Sequence, residues 1–158
     1  MAFSYSTGFV HKIFNNTANG GMGFAEIFKD GVIEIYSGTR PVNADAAKSG
    51  TLLGTVTKSG GTPFVPGAAD HGLEWGTASD RSIDKASAET WQFTAGASGT
   101  ATWFRIKGNA TDEGSRSTSL PRIDGTISAF GGDATLSDTN IVSGNVYTLN
   151  RCKFTWPA

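Results

Sequence analysis

Apolar and polar residues change their spacing along this chain, and the change divides it. In residues 1–31, Phe9, Val10, Ile13 and Phe14 recur at spacings of one, three and four, which predicts a short helix with one apolar face, capped by Thr7. The polar run Asn15-Asn16-Thr17-Ala18-Asn19-Gly20-Gly21 ends it. Phe24 to Lys29 predicts a second short helical turn, which Asp30-Gly31 closes by supplying a residue that tolerates positive φ. Helices of this length do not persist alone in water, so both must dock, either on the domain's own sheet or on a neighbouring subunit.

From Val32 the period becomes two. Val32, Glu34 and Tyr36 alternate with Ile33, Ile35 and Ser37, which predicts a strand with one buried face. Thr51 to Thr57 predicts a second strand able to pair with it. Residues 58–90, with Gly60, Gly61, Pro63 and Pro66 bracketing Phe64-Val65, read as a surface excursion. Trp91 to Ala95 and Thr100 to Lys107 alternate on either side of Gly96-Ala97-Ser98-Gly99 and predict a hairpin. Short strands follow at Ile123 to Ile127 and Asp133 to Leu136, and a long one runs from Val146 to Trp156. Because Trp103 and Phe104 are adjacent on a strand, they point to opposite sides, so both faces of that strand are expected to be covered.

Composition strengthens the β reading. With 158 residues the chain fits one domain, and its 21 Gly, 10 Phe and 4 Trp suit short pleated strands joined by tight turns. The expected fold is mainly β: a single antiparallel β-sandwich or jelly-roll-like domain over 32–158, with an N-terminal arm of one or two short helices over 1–31. Thirteen basic and fourteen acidic residues give a net charge of -1 without runs of either sign, which argues against nucleic acid as a partner. No stretch approaches the roughly 20 apolar residues of a membrane helix, and Met1 to Gly8 lacks the basic and apolar regions of a leader. Cys152 is the sole cysteine, so folding needs no oxidising compartment.

Candidate chemistry is thin. His11 and His71 stand in no metal-ligand spacing, and Asp70-His71 has no Gly-x-Ser-x-Gly nucleophile elbow to serve. Arg151 and Lys153 flank Cys152, but strand alternation points them to the opposite face, which leaves the thiol as a small core residue. Asp112-Glu113 with Asp124 reads better as solvated carboxylates than as an acid–base set, and Asp133 to Asn140 lacks the order of a calcium loop. No catalytic residue, metal or cofactor is expected. The tryptophans Trp75, Trp91, Trp103 and Trp156 suit a β core or a protein interface before a sugar-stacking platform.

One segment goes beyond pattern. Phe24 to Leu53 contains Ile35-Tyr36-Ser37-Gly38, Pro41, Ala44-Asp45, Ala47, Gly50 and Leu52-Leu53. It resembles a stretch found in small structural proteins of tailed bacteriophages and prophages, where it follows a short helix and an Asp-Gly step. Gly99-Thr100-Ala101 with Phe104-Arg105, and Leu136, Thr139, Ile141, Gly144 and Val146, resemble later parts of the same family in the same order. The resemblance implies a virion protein of the capsid exterior, made in the bacterial host cytoplasm. A small, near-neutral β domain there is expected to act as a decoration or cement protein, gripping the major capsid protein or other virion subunits through many modest contacts, as a homo-oligomer. The expected contact residues are Phe3, Tyr5, Phe9, Phe14 and Phe24 in the arm, Trp75 in the excursion, and Trp156 at the end. The alternative is a carbohydrate-binding or host-attachment module of a head or tail fibre, using Trp75 or Trp91.

Overall fold

Strands that alternate apolar and polar residues bury one face, and here they do so by curling around it. The computed structural model describes residues 3–14, 22–58 and 64–155. Its N-terminal part holds β1 (Ser4–Tyr5), α1 (Thr7–Phe14), α2 (Phe24–Ile27), β2 (Val32–Tyr36) and β3 (Leu52–Lys58). There follow β4 (Ser82–Ile83), β5 (Trp91–Thr94), β6 (Gly99–Thr100), β7 (Trp103–Lys107), β8 (Arg122–Ser128), β9 (Ala134–Leu136), β10 (Asn140–Ile141), β11 (Val146–Cys152) and β12 (Phe154–Thr155). The chain is mainly β, as its periodicity requires.

The strand order is β8-β7-β2-β3-β5-β11-β9, and β9 returns to pair with β8, so seven strands close into one barrel-like ring. All pairings in the ring are antiparallel except the closing β8–β9 pair. This ring stands in place of the two facing sheets expected of a sandwich or jelly roll. β1 adds to β8 beside the closure, with Ser4 opposite Asp124 and Tyr5 opposite Ile123. Closure leaves few unpaired strand edges.

Register fixes what lies inside. Ile33, Val56, Ile106 and Ile123 stand opposite one another across four strands, and Ile35, Gly54, Phe104 and Gly125 form the next rung. The two glycines make room for rings: a Cβ on Gly54 would sit 2.1 Å from the Phe93 ring, and one on Gly125 would sit 2.5 Å from Phe104. β2 and β7 are buried on both faces, so the cover expected over Trp103 and Phe104 is present.

β2 and β3 pair as expected, whereas the Trp91-to-Lys107 hairpin does not form. β5 binds β3 and β11, and β7 binds β2 and β8, so β2 and β3 lie between the two arms of the supposed hairpin. The Gly-rich link is a crossing at the barrel end, where Gly96 N–H donates to Leu53 O at 2.9 Å and Thr102 N–H to Tyr36 O at 3.0 Å. The excursion is only partly on the surface. Leu73 bridges Gly31, and Leu73 and Trp75 are both buried in the core. The single last strand is two, β11 and β12, broken at Lys153.

Candidate interface groove

The N-terminal arm reaches the barrel through a polar hinge. Ser6, fully buried, is the N-cap of α1: its Oγ accepts Phe9 N–H at 3.1 Å, the third helical amide. The same oxygen accepts Arg122 N–H at 2.8 Å and donates to Leu120 O at 2.8 Å, so the cap also joins α1 to β8. The expected cap, Thr7, is instead the first helical residue. Asp45 holds it, accepting Thr7 N–H at 2.8 Å and Thr7 Oγ1–H at 2.6 Å. Docked this way on the chain's own sheet, α1 buries Phe9 against Phe28, with ring centroids 5.3 Å apart.

An aromatic cluster grows outward from there. Phe24 of α2 lies 4.7 Å from both Trp75 and Phe154, and Phe3 stacks on Phe154 at 4.2 Å. Over this cluster runs a groove of about 520 Å³, within the usual size range of ligand sites. It is lined by Tyr5, Phe9, Ile13 and the start of α2, by residues 76–78 and 81–83, and by Phe154-Thr155. Three stretches far apart in sequence thus converge: the arm, the excursion and the C-terminal strand.

The expected contact residues divide by burial. Phe9 and Trp75 are buried, and Phe3 and Phe24 are partly buried against the core. Tyr5 is 41 % exposed and Phe14 78 % exposed. Burial first, and then the charge of Asp133, push the Tyr5 hydroxyl above its ordinary pKa, so Tyr5 stays neutral. Trp156 lies outside the described residues. Trp75 packs edge to face on the fully buried Trp91 at 5.0 Å, so neither ring offers a face to a sugar. Phe130, missed in the sequence, stands 93 % exposed in the β8–β9 loop. Its setting in Ala129-Phe130-Gly131-Gly132, a large aromatic in a turn that gives it nothing to pack on, was the available signal.

The outer face of β2, β7 and β8 carries a buried ionic layer. Arg105 and Asp124, opposite each other in register and both fully buried, form a two-pronged pair at 2.7 and 2.8 Å. Lys107 Nζ pairs with Glu34 at 2.8 Å, and Glu34 also accepts Tyr36 O–H at 2.6 Å. Arg122 grips Asp112 at 2.6 and 2.7 Å. Residues 39–50 and 109–120 roof this layer, and Arg105 Nη1 donates to Ala46 O at 3.1 Å. Burial pushes the Asp112 carboxyl up. The Arg122 and Gly114 hydrogen bonds, with the Lys107 and Arg122 charges, outweigh it and hold Asp112 below the ordinary carboxylate value. Arg105 stays charged: its own burial works against this, and Asp124 more than offsets it. Asp112 and Asp124, expected as solvated carboxylates, are instead buried partners of arginines, and Glu113 alone of the three is exposed.

Cys152 is wholly buried, and desolvation drives its thiol pKa far up, so the thiolate is suppressed. Among the described residues, the groups able to share a metal ion comprise Asp30, Asp70 and Glu74, whose oxygens lie within 4.8 Å of one another, with neither histidine among them. Asp30 Oδ1 already accepts the Asp70 amide at 2.9 Å. Among the described residues no helix is long and apolar enough to cross a membrane. No family model, curated protein or solved structure matches the chain.

Proposed function

We propose that this chain is a non-catalytic structural protein of a tailed-phage virion, binding the capsid shell from outside as a decoration or cement protein. The observation that carries the reading is the convergence of arm, excursion and C-terminal strand on one apolar groove, with Tyr5 and Phe14 exposed on the arm. Large aromatic residues in such a place are the usual anchors of protein interfaces.

The virion half of the reading rests on the resemblance of residues 24–53, 99–106 and 136–147. In this fold most of those residues hold the frame, while Phe24 and Ala25 line the groove. Ala44 is buried, Asp45 binds α1, Ala46 O receives Arg105, and Gly50 at φ +75° passes so close to Ser37 O that a Cβ has no room. A motif made of frame residues marks a shared fold, and leaves contact specificity to the segments that depart from the motif. Residues 76–83 of the groove belong to such a segment.

The mechanism is additive. Each copy contributes a modest contact, and many copies, or a closed homo-oligomer, hold adjacent major capsid subunits together against internal pressure. No bond chemistry is required. Particles assembled with and without this protein test it by heating: those that carry it are expected to release genome at a higher temperature. Identical release curves, with the protein absent from purified particles, would contradict the reading.

A further inference from the structure

The groove carries one charge, and that charge sits on a strained backbone. Ser79-Asp80-Arg81-Ser82 is a two-residue hairpin turn, closed by Ser79 N–H to Ser82 O at 2.9 Å and Ser82 N–H to Ser79 O at 2.8 Å. Both central residues have positive φ, 46° at Asp80 and 60° at Arg81. Turns of this kind favour Asn or Asp followed by Gly, because a Cβ is disfavoured in the left-handed region. Asp80 fits the first position. Arg81 occupies the second, where glycine would relieve the strain.

What the arginine supplies in return is its place. Arg81 is exposed, lines the groove, and joins none of the ion pairs among the described residues. No carboxylate lines the groove. Strained residues kept against their local preference concentrate where a ligand is gripped. Small residues, Gly23, Ala25, Gly76 and Ala78, are among those that line it, so its walls carry little side-chain bulk at these positions.

We infer that the groove binds a segment of another protein in which bulky apolar side chains are followed by a carboxylate, with Arg81 reading the charge. The inference rests on the partner-binding reading above and adds the chemistry of the bound segment. Apolar side chains fill the floor over Phe24 and Phe154, and the carboxylate meets the unpaired guanidinium at the rim. Charge complementarity of this sort selects partners more than it adds affinity.

The probes are two fluorescein-labelled nonapeptides that share leucine and phenylalanine anchors and differ in carrying two glutamates or two lysines. Binding to the full chain is read by anisotropy, with dodecanoate as a competitor. The glutamate peptide is expected to bind about tenfold more tightly than the lysine peptide. In Arg81→Gly the preference is expected to fall to about one, while the urea midpoint rises because the turn relaxes. Ala78→Glu, at an exposed position, is expected to weaken the glutamate peptide by placing a carboxylate in the groove. Equal binding of both peptides, a preference that survives Arg81→Gly, or binding of dodecanoate alone would overturn the inference. Protein that fails these tests and still coats capsid shells leaves the proposed function standing. Protein that passes them and is missing from virions reverses that outcome.

Discussion

Arg105 and Asp124 meet in a place where water never reaches them, and removing either alone leaves the other charge buried without its partner. Asp124→Asn is therefore expected to cost about 3–5 kcal/mol, whereas replacing both residues together with leucine and methionine is expected to cost far less. Urea unfolding of the single and double variants checks this. Asp112 gives the pH dependence. Its pKa is lower folded than unfolded, so between those values the unfolded chain binds more protons. Its contribution to stability is present above the ordinary carboxylate range and is lost as pH falls through the folded value. Unfolding midpoints should fall on acidification below about pH 4, and less steeply in Asp112→Asn. Cys152 is expected to stay unlabelled by a thiol reagent until urea unfolds the protein, because burial suppresses its thiolate. Rapid labelling of folded protein would show that β11 opens to solvent.

At the level of elements, the sequence was readable wherever a rule acts locally. β2 and β3 follow from alternation and a turn, and Asp30 takes the positive φ, +54°, that the Asp-Gly step implies, although α2 already stops at Ile27 with Phe28 as its C-cap. It was misleading where two local signals are satisfied by distant partners. Trp91 to Lys107 looks like a hairpin because both arms alternate, but alternation does not name the neighbouring strand, and here β2 and β3 intervene. The cap moved from Thr7 to Ser6 for a related reason. Asp45, remote in sequence, takes Thr7, and Ser6 joins β8. Ser6→Ala is thus expected to cost about 2 kcal/mol, at the upper end for a cap, since Arg122 N–H and Leu120 O lose a partner as well. A loss under about 0.5 kcal/mol by urea unfolding would mean that water replaces the hydroxyl.

For the whole molecule, ring closure explains the groove. β1 and β9 both pair with β8, and β11 pairs with β9, so the arm that carries β1 and the one strand that follows β11, β12, arrive at the same seam, where Phe3 stacks on Phe154. Aromatic residues from three distant stretches meet there, and no local pattern in the sequence announces that meeting. Phe3, Tyr5, Phe9 and Phe24 are marked in the sequence only by lying in an arm that precedes the period-two pattern, not by any signal of where they meet. The fate of Trp75 and Trp91 depended on tertiary packing, and the barrel buries both. Attachment to a capsid shell, as proposed, would be visible in a reconstruction of purified virions. Density for this barrel is expected over the joints between major capsid subunits, with the seam between β1 and β12 turned toward the neighbouring protein. Density confined to the tail tip, or none on the particle, would contradict it.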